Sequence, residues 1–409
     1  MRRRGHAPPW LFALTKAPFG VGSGVIASAM PYLTRRAGIS VADIGWYSCV
    51  FILPAALLLL YVPIVDRLLR RRTWLIALAT VSALLFAVAL TLPLPRCLGP
   101  FLALLFVGQA LNLLCGSCNN GLVAATMPER LRGAAAGWMN TGNLGGAALG
   151  AWLTLSLADE AHVPAWLVAA ALAACMILPA LSALLVDEPP PRSSGPGLAA
   201  LTTELAQLVR SPRGWSCLII CLSPVGSTAL LNFVTALAPD YHASARLVGL
   251  VSGPLSAVAA AVGALVCGYF CDRVNRRLAY FASAAFTALV CLVTLVVPLS
   301  PATYAVGVGV YLFASGFCYA SFSAMVLETI TASGRSAATQ YQLFATAGNV
   351  AMLYVGLIDT RFHRRWGAAG VLGADALLNL VGIVVVVAII RLVNNAYRER
   401  QSSAVADLG

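Results

Sequence analysis

From residue 10 to residue 393 the charged positions divide the chain into a succession of apolar runs, and that succession limits the fold more than any motif does. About 20 apolar residues in a helix suffice to cross the hydrocarbon core of a bilayer. Only helices and closed barrels satisfy their backbone groups there. The runs lie near 10–33, 44–65, 73–94, 98–126, 133–158, 164–186, 214–239, 246–270, 276–298, 302–331, 336–360 and 367–393, and are called spans one to twelve below. Of the 409 residues, 60% are hydrophobic and only 10% charged, against about 25% charged in a soluble domain. The expected fold is an all-α membrane protein of twelve transmembrane helices in two pseudo-symmetric six-helix bundles.

Charge sets the expected orientation. With the N-terminus inside, most of the 27 Lys and Arg fall in inner segments, including Arg2 to Arg4, Arg70 to Arg72, Arg130, Arg132, Arg273, Arg276 and Arg277. Basic residues are retained on the cytoplasmic side, so both termini are expected there, in a multi-pass protein of the cell inner membrane. The net charge of +12 is spread over short loops rather than gathered on one face. It therefore points to anionic lipid of the bilayer and not to nucleic acid. Arg2 to Arg4, an apolar run and Ala27-Ser28-Ala29 imitate a secretory signal, but Lys16 and Pro18 interrupt the run, which reads as the first span.

The eleven cysteines lie mostly inside spans and read as small buried side chains. Cys115-x-x-Cys118 has no second Cys/His pair at zinc spacing, so no metal is expected. Nor is any cofactor or enzymatic activity. No G-x-x-x-x-G-K-[ST] run exists to hold nucleotide, and no Ser, His and Asp set forms a nucleophile motif.

The one long Pro/Ser/Gly-rich stretch, D-E-P-P-P-R-S-S-G-P-G at 187–197, parts the spans six and six. Expected domains are an N-terminal bundle (1–186), a linker (187–213) with a short amphipathic helix, a C-terminal bundle (214–393) and a tail (394–409). The halves read as repeats. Asp66-Arg67 ends span two and Asp272-Arg273 ends span eight, 206 positions on; the same offset links Gly142-Asn143 to Gly348-Asn349.

Polar side chains in a span should face the protein interior or a water-filled cavity. Gln109, Asn112, Asn119 and Asn120 form a stripe on span four. Thr228 and Asn232 are four apart on span seven, and Tyr311, Ser315 and Tyr319 follow at steps of four on span ten. A single Ser or Thr among them reads first as a hydrogen bond between packed helices, whereas the four carboxamides of span four are more than packing needs. Lys16 in span one reads either as a cation for an anionic substrate group or as a lysine snorkelling to headgroups. Glu328 reads either as a protonatable coupling group or as an ion-pair partner of Arg335 or Lys16. Asp375, four residues before Asn379, reads as structural.

Two six-helix halves with repeated Asp-Arg loops resemble the major facilitator superfamily, whose loops of this type are called motif A. Within it the chain resembles the AmpG-like permeases, which include muropeptide, acetyl-CoA and RhtX/FptX-type siderophore carriers. The matching residues are G-I-S-V-A-D-I-G-W-Y-S at 38–48, Pro63-x-x-Asp66-Arg67, M-P-E-R-L-R-G-A-A-A-G at 127–137 and S-A-A-T-Q-Y at 336–341. Span four lacks the acidic residues usual in that group, reading C-G-S-C-N-N-G-L-V-A-A-T.

The resemblance implies a monomeric secondary transporter with a cavity lined by spans one, four, seven and ten. It also implies proton-coupled uptake of a polar or amphipathic small molecule. Motif A packs across the halves, so Asp66 is expected at the start of span eleven near Arg335, and Asp272 at the start of span five near Arg132. Two alternatives stand: an exporter of lipophilic compounds, which would carry an acid in span one where Lys16 stands, and a non-transporting sensor or scaffold.

Overall fold

The computed structural model describes residues 6–66, 69–159, 163–188, 198–232, 234–251, 255–330 and 336–406. All of the described regular structure is helical. Seven described helices are long and apolar enough to cross a membrane: Leu11–Arg36, Arg71–Thr91, Leu98–Thr126, Ala165–Leu185, Arg276–Val296, Pro301–Thr329 and Ala337–Val393. The last, 57 residues long, is long enough for two passes. It breaks at Gly367, where φ is +58° and ψ −144°, a backbone that glycine adopts without steric cost. Asp240 holds the restart by accepting from Ala368 N at 3.2 Å.

Some of the expected spans are not single helices. Span two is divided into Val41–Val50, Leu53–Ala56, Leu58–Tyr61 and a 3₁₀ turn, Val62–Ile64. Pro54 and Pro63 remove donors there. In span seven the helix Pro212–Leu222 stops before Pro224, and Gly226 (φ +65°) and Thr228 (φ +53°) take left-handed conformations before Ala229–Asn232 resumes. Apolar residues continue on both sides of each break, and Pro54, Pro63 and Ser223-Pro224-Val225-Gly226-Ser227-Thr228 are the residues that mark them. Irregular backbone at membrane depth is tolerated where it is buried in protein or lines a cavity. Ser227, in the span seven break, lies on a cavity wall.

Span one lies along span five, and span eight along span ten. Backbones touch in the first pair: a Cβ on Gly20 would stand 2.2 Å from the Asn143 carbonyl oxygen, and one on Gly142 would stand 2.1 Å from that of Ala13. Small residues at such contacts let helices associate in lipid, where expulsion of water drives little. Across the halves, span five packs on span eight, and the end of span two packs on span eleven. Outward faces carry Leu60, Val296 and Leu353, each more than 65% exposed, as a lipid-facing surface requires.

The linker is fastened at both ends. Glu188 accepts from Arg71 N (3.0 Å) and Arg72 N (3.1 Å), capping the start of span three. Glu204, on the amphipathic helix Leu198–Arg210, accepts from Ser336 Oγ at 2.6 Å in the opposite half.

Candidate functional site

A cavity of about 270 Å³ lies between the halves. Span one gives it Lys16 and Phe19, span four Gly116, Ser117 and Asn120, and span five Asn140 and Asn143. The C-terminal half gives Ser227, Tyr280, Tyr319, Phe322, Ser323, Tyr341, Gln342 and Asn349. Lys16 is the one charged side chain among these described walls.

Lys16 is 6% exposed, and its ammonium stays within the bundle. It donates to Gly116 O at 3.0 Å and Asn120 Oδ1 at 2.9 Å, and sits 4.4 Å from the Phe19 ring centroid. Both acceptors are neutral. An ammonium has three N–H donors, so one remains beyond these two bonds.

Only part of the polar stripe on span four reaches the cavity. Asn120 does, but Asn112 turns to span one and donates to Phe19 O at 3.0 Å, and Asn119 accepts from Thr15 Oγ1 at 2.5 Å. Gln109 is buried outside the cavity wall. On span ten Tyr319 lines the cavity, whereas Tyr311 donates to Asp375 Oδ2 at 3.3 Å and Ser315 to Leu312 O at 2.7 Å. Thr228 stands behind the wall and donates to Tyr319 Oη at 3.3 Å. The side chain of Asn232 lies outside the described residues. The stripes of spans four and ten thus serve helix packing and the cavity in alternation.

Sequence reading missed Asn140, which joins the halves by donating to Ser323 Oγ at 2.9 Å, with Tyr341 Oη donating to the same oxygen at 2.9 Å. It also assigned no site role to Asn143 and Asn349, although the 206-residue repeat had paired them; both line the cavity.

On the arginine-rich face the two motif-A acids dock across the halves. Asp66 accepts from Thr339 N and Thr339 Oγ1, both at 2.9 Å, at the start of span eleven, and pairs with Arg71 at 2.9 Å. Asp272 accepts from Gly133 N and Ala134 N, both at 2.8 Å, at the start of span five. A helix N-terminus offers free N–H groups and favours a carboxylate. Partial burial pushes the Asp272 carboxyl above its usual range, against the downward pull of those two N–H groups and of Arg276. The desolvation cost of this contact thus outweighs the stabilisation that its partners give the charge.

The arginines differ in their partners. Arg132 donates to Met127 O and Ala124 O on its own side, and to Leu327 O across the halves. Arg273 is exposed, and Arg276 is the residue that pairs with Asp272 (3.6 Å) and Glu328 (3.8 Å) and donates to Glu129 O. Arg67 and Arg335 lie outside the described residues. Glu328, its side chain 39% exposed, lines a charged vestibule of about 1380 Å³ with Glu129, Arg132, Glu188 and Glu204, away from the central cavity.

No curated protein sequence matches the chain. Solved structures do, at low identity. The human organic anion transporter MFSD10 (TETRAN) superposes with a TM-score of 0.68 at 16% identity, over 93% of this chain and 100% of that one. FucP in its outward conformation gives 0.68 at 17% identity, over 94% and 99%. A bacterial homologue of the iron transporter ferroportin, in its outward-facing state, gives 0.66 at 12%, over 93% and 99%. The sequence also matches the family description "Major Facilitator Superfamily" over residues 12–356 and 217–405. With fold and sequence in agreement, the chain belongs to the Major Facilitator Superfamily.

Proposed function

We propose that the chain is a secondary active transporter that works by alternating access and carries a compact organic anion with an apolar or aromatic part. The observation that carries this reading is Lys16, a single buried cation among the neutral walls of the cavity between the halves. A bare ammonium in such a place is stabilised by an anion, and the donor left over after Gly116 O and Asn120 Oδ1 gives one charge-assisted bond to it. Tyr280, Tyr319, Phe322 and Tyr341 supply aromatic faces and hydroxyls for the remainder of the solute.

Size narrows the class. At about 270 Å³ the cavity falls just below the roughly 300–1,000 Å³ of drug-sized ligand sites. A compact anion fits as it stands, whereas a muropeptide or acyl-CoA enters only if the halves part further. Placement among AmpG-like permeases rests on residues 38–48, 63–67, 127–137 and 336–341; in the last, Thr339 receives Asp66 and Tyr341 lines the cavity. Uptake across the inner membrane, with protons as the coupling ion and both termini cytoplasmic, completes the proposal. Glu328, a candidate for that proton, pairs with Arg276 in the vestibule and stands apart from the cavity.

Alternating access is supported by the docked acids. With Asp66 and Asp272 engaged, the arginine-rich face is closed, and the substrate pathway opens there only when both release. A scaffold without transport would have no use for a polar cavity joined to two reversible closures.

The test is thermal stabilisation of the purified protein by a panel of carboxylate and phosphate compounds, including siderophore carboxylates, acetyl-CoA and muropeptides, with neutral sugars as controls. At least one anion should stabilise the wild type and fail to stabilise Lys16→Gln. Equal stabilisation of Lys16→Gln by that anion would refute the assignment, as would stabilisation by neutral sugars alone.

A further inference from the structure

Two carboxylates lie buried in the C-terminal half, apart from the cavity. Asp359 near the end of span eleven and Asp375 on span twelve are both 0% exposed. Asp375 Oδ2 accepts from Tyr311 Oη (3.3 Å), Cys291 Sγ (3.4 Å) and Asn379 Nδ2 (3.4 Å). Its Oδ1 has no hydrogen-bond partner, and neither oxygen of Asp359 has one. Among the described residues, neither acid pairs with a Lys, Arg or His nitrogen.

Among the described residues, the surroundings offer no compensating charge. Cys291 of span nine and Tyr311 of span ten lie close enough to sense both acids, and Cys318 of span ten senses Asp375. Ahead of span eight, Tyr241 and Asp240 border the same region. On the acids' own elements, Arg361, Arg364 and Arg365 are exposed, and His363 follows Asp359 by four residues. The described groups facing Asp375 are thus neutral donors, and Asp359 lies close enough to sense Asp375. Two carboxylates cannot both ionise in such a site at acceptable cost. Something positive must be bound. No three His, Cys, Asp or Glu side chains among the described residues are grouped to hold a metal ion. A proton needs only one orphan oxygen.

The pair is wired to the cavity. Asn379, one turn after Asp375, donates to Asp375 O at 2.8 Å and accepts from Gly226 N at 2.8 Å. Gly226 lies in the unwound segment of span seven, held from the other side by Tyr280 Oη donating to Val225 O at 2.6 Å. The next residue, Ser227, lines the cavity with an unpartnered hydroxyl, and Thr228 bonds Tyr319 on the cavity wall.

We propose that Asp359 and Asp375 form a proton-binding pair whose loading is transmitted to the solute cavity through Asn379 and the unwound segment of span seven. The proton comes from water on one face, forms an O–H on one carboxyl oxygen, cancels one of two negative charges, and returns to water on the other face. The coupling half of this proposal rests on the transporter reading; the proton site does not.

Two measurements test it on the full-length protein in lipid nanodiscs and liposomes. The first is infrared difference spectroscopy between acid and alkaline buffer, reading the C=O stretch of a protonated carboxyl. Asp359→Asn and Asp375→Asn should each diminish that band, and Glu328→Gln should leave it in place. The second is maleimide labelling of Cys318, a cavity-wall thiol, from each face, with the other cysteines replaced by alanine. A proton bound in only one of the two states shifts their ratio by up to about tenfold per pH unit, and that dependence should be lost in both Asn variants. Should one variant fail to fold, the other carries both readings.

A band undiminished in both Asn variants overturns the proton site. A wild type that alternates, with the same pH response in both variants, overturns the coupling alone. Labelling of Cys318 from a single face at every pH overturns the transporter reading and the coupling together, and leaves the infrared result to decide the site.

Discussion

Replacing both Asp66 and Asp272 with asparagine should open the arginine-rich face. At Asp66, one oxygen takes Thr339 N and Oγ1, and the other takes Ala338 N and Arg71. An amide keeps one acceptor oxygen and turns an NH₂ group toward donors that formerly met the second. The same holds at Asp272, where Gly133 N and Ala134 N each use a different oxygen. At least one bond to a charged acceptor is therefore lost at each site, at about 1.5–3 kcal/mol apiece. The Arg71 and Arg276 ion pairs lie within the acids' own halves, so their loss affects closed and open states alike and drops out. The total is about 3–6 kcal/mol against the closed state, and at about 1.4 kcal/mol per tenfold its lower bound shifts the equilibrium more than about 100-fold. Maleimide labelling of Cys318 from the arginine-rich face reads the shift directly. Each single variant should give roughly the square root of the double effect. A double variant labelled within a factor of about two of the wild-type rate would refute the argument.

Gly137 and Gly268 meet across the halves, where a Cβ on Gly268 would stand 2.7 Å from the Gly137 Cα. Gly268→Val should disfavour the closed state by about 1–3 kcal/mol and raise labelling from the same face while leaving the fold intact by circular dichroism. Tyr280→Phe removes the donor to Val225 O and should lower the thermal midpoint by an amount equivalent to about 1–3 kcal/mol, with the change in hydrogen exchange concentrated at 223–228. Glu188→Ala strips the acceptor from Arg71 N and Arg72 N. It should cost about 0.5–2 kcal/mol of helix-end stability, seen as faster amide exchange at the first turn of span three.

Much of this architecture was legible because it is repeated. Asp66 and Asp272 stood out by their shared register, and the structure places both on helix N-termini of the opposite half. Asn143 and Asn349 carried the same register and line the cavity, so the repeat was a better guide to the site than polarity was. Polarity on one helix face does not distinguish a cavity from a neighbouring helix. Asn112 and Asn119 satisfy span one, whereas Asn120, one residue beyond Asn119, meets Lys16. Tyr311 was set apart from Tyr319 by Asp375, a partner 64 residues away. Asp359 escaped notice because it stands one residue from the expected end of its span, where an acid normally meets water. Only the packed structure shows that none reaches it.

The backbone contact between spans one and five has a consequence for handling the protein outside its membrane. Its attraction comes from peptide groups touching at Gly20 and Gly142, and such contact owes little to the surrounding solvent. Detergents that thin or swell the apolar surroundings should loosen the outer helices first and leave this pair assembled. Under the proposed alternating access, Lys16 and Asn143 keep a fixed spacing on one stiff beam, and movement of the cavity wall falls to the C-terminal half, where span seven has already given up its helix.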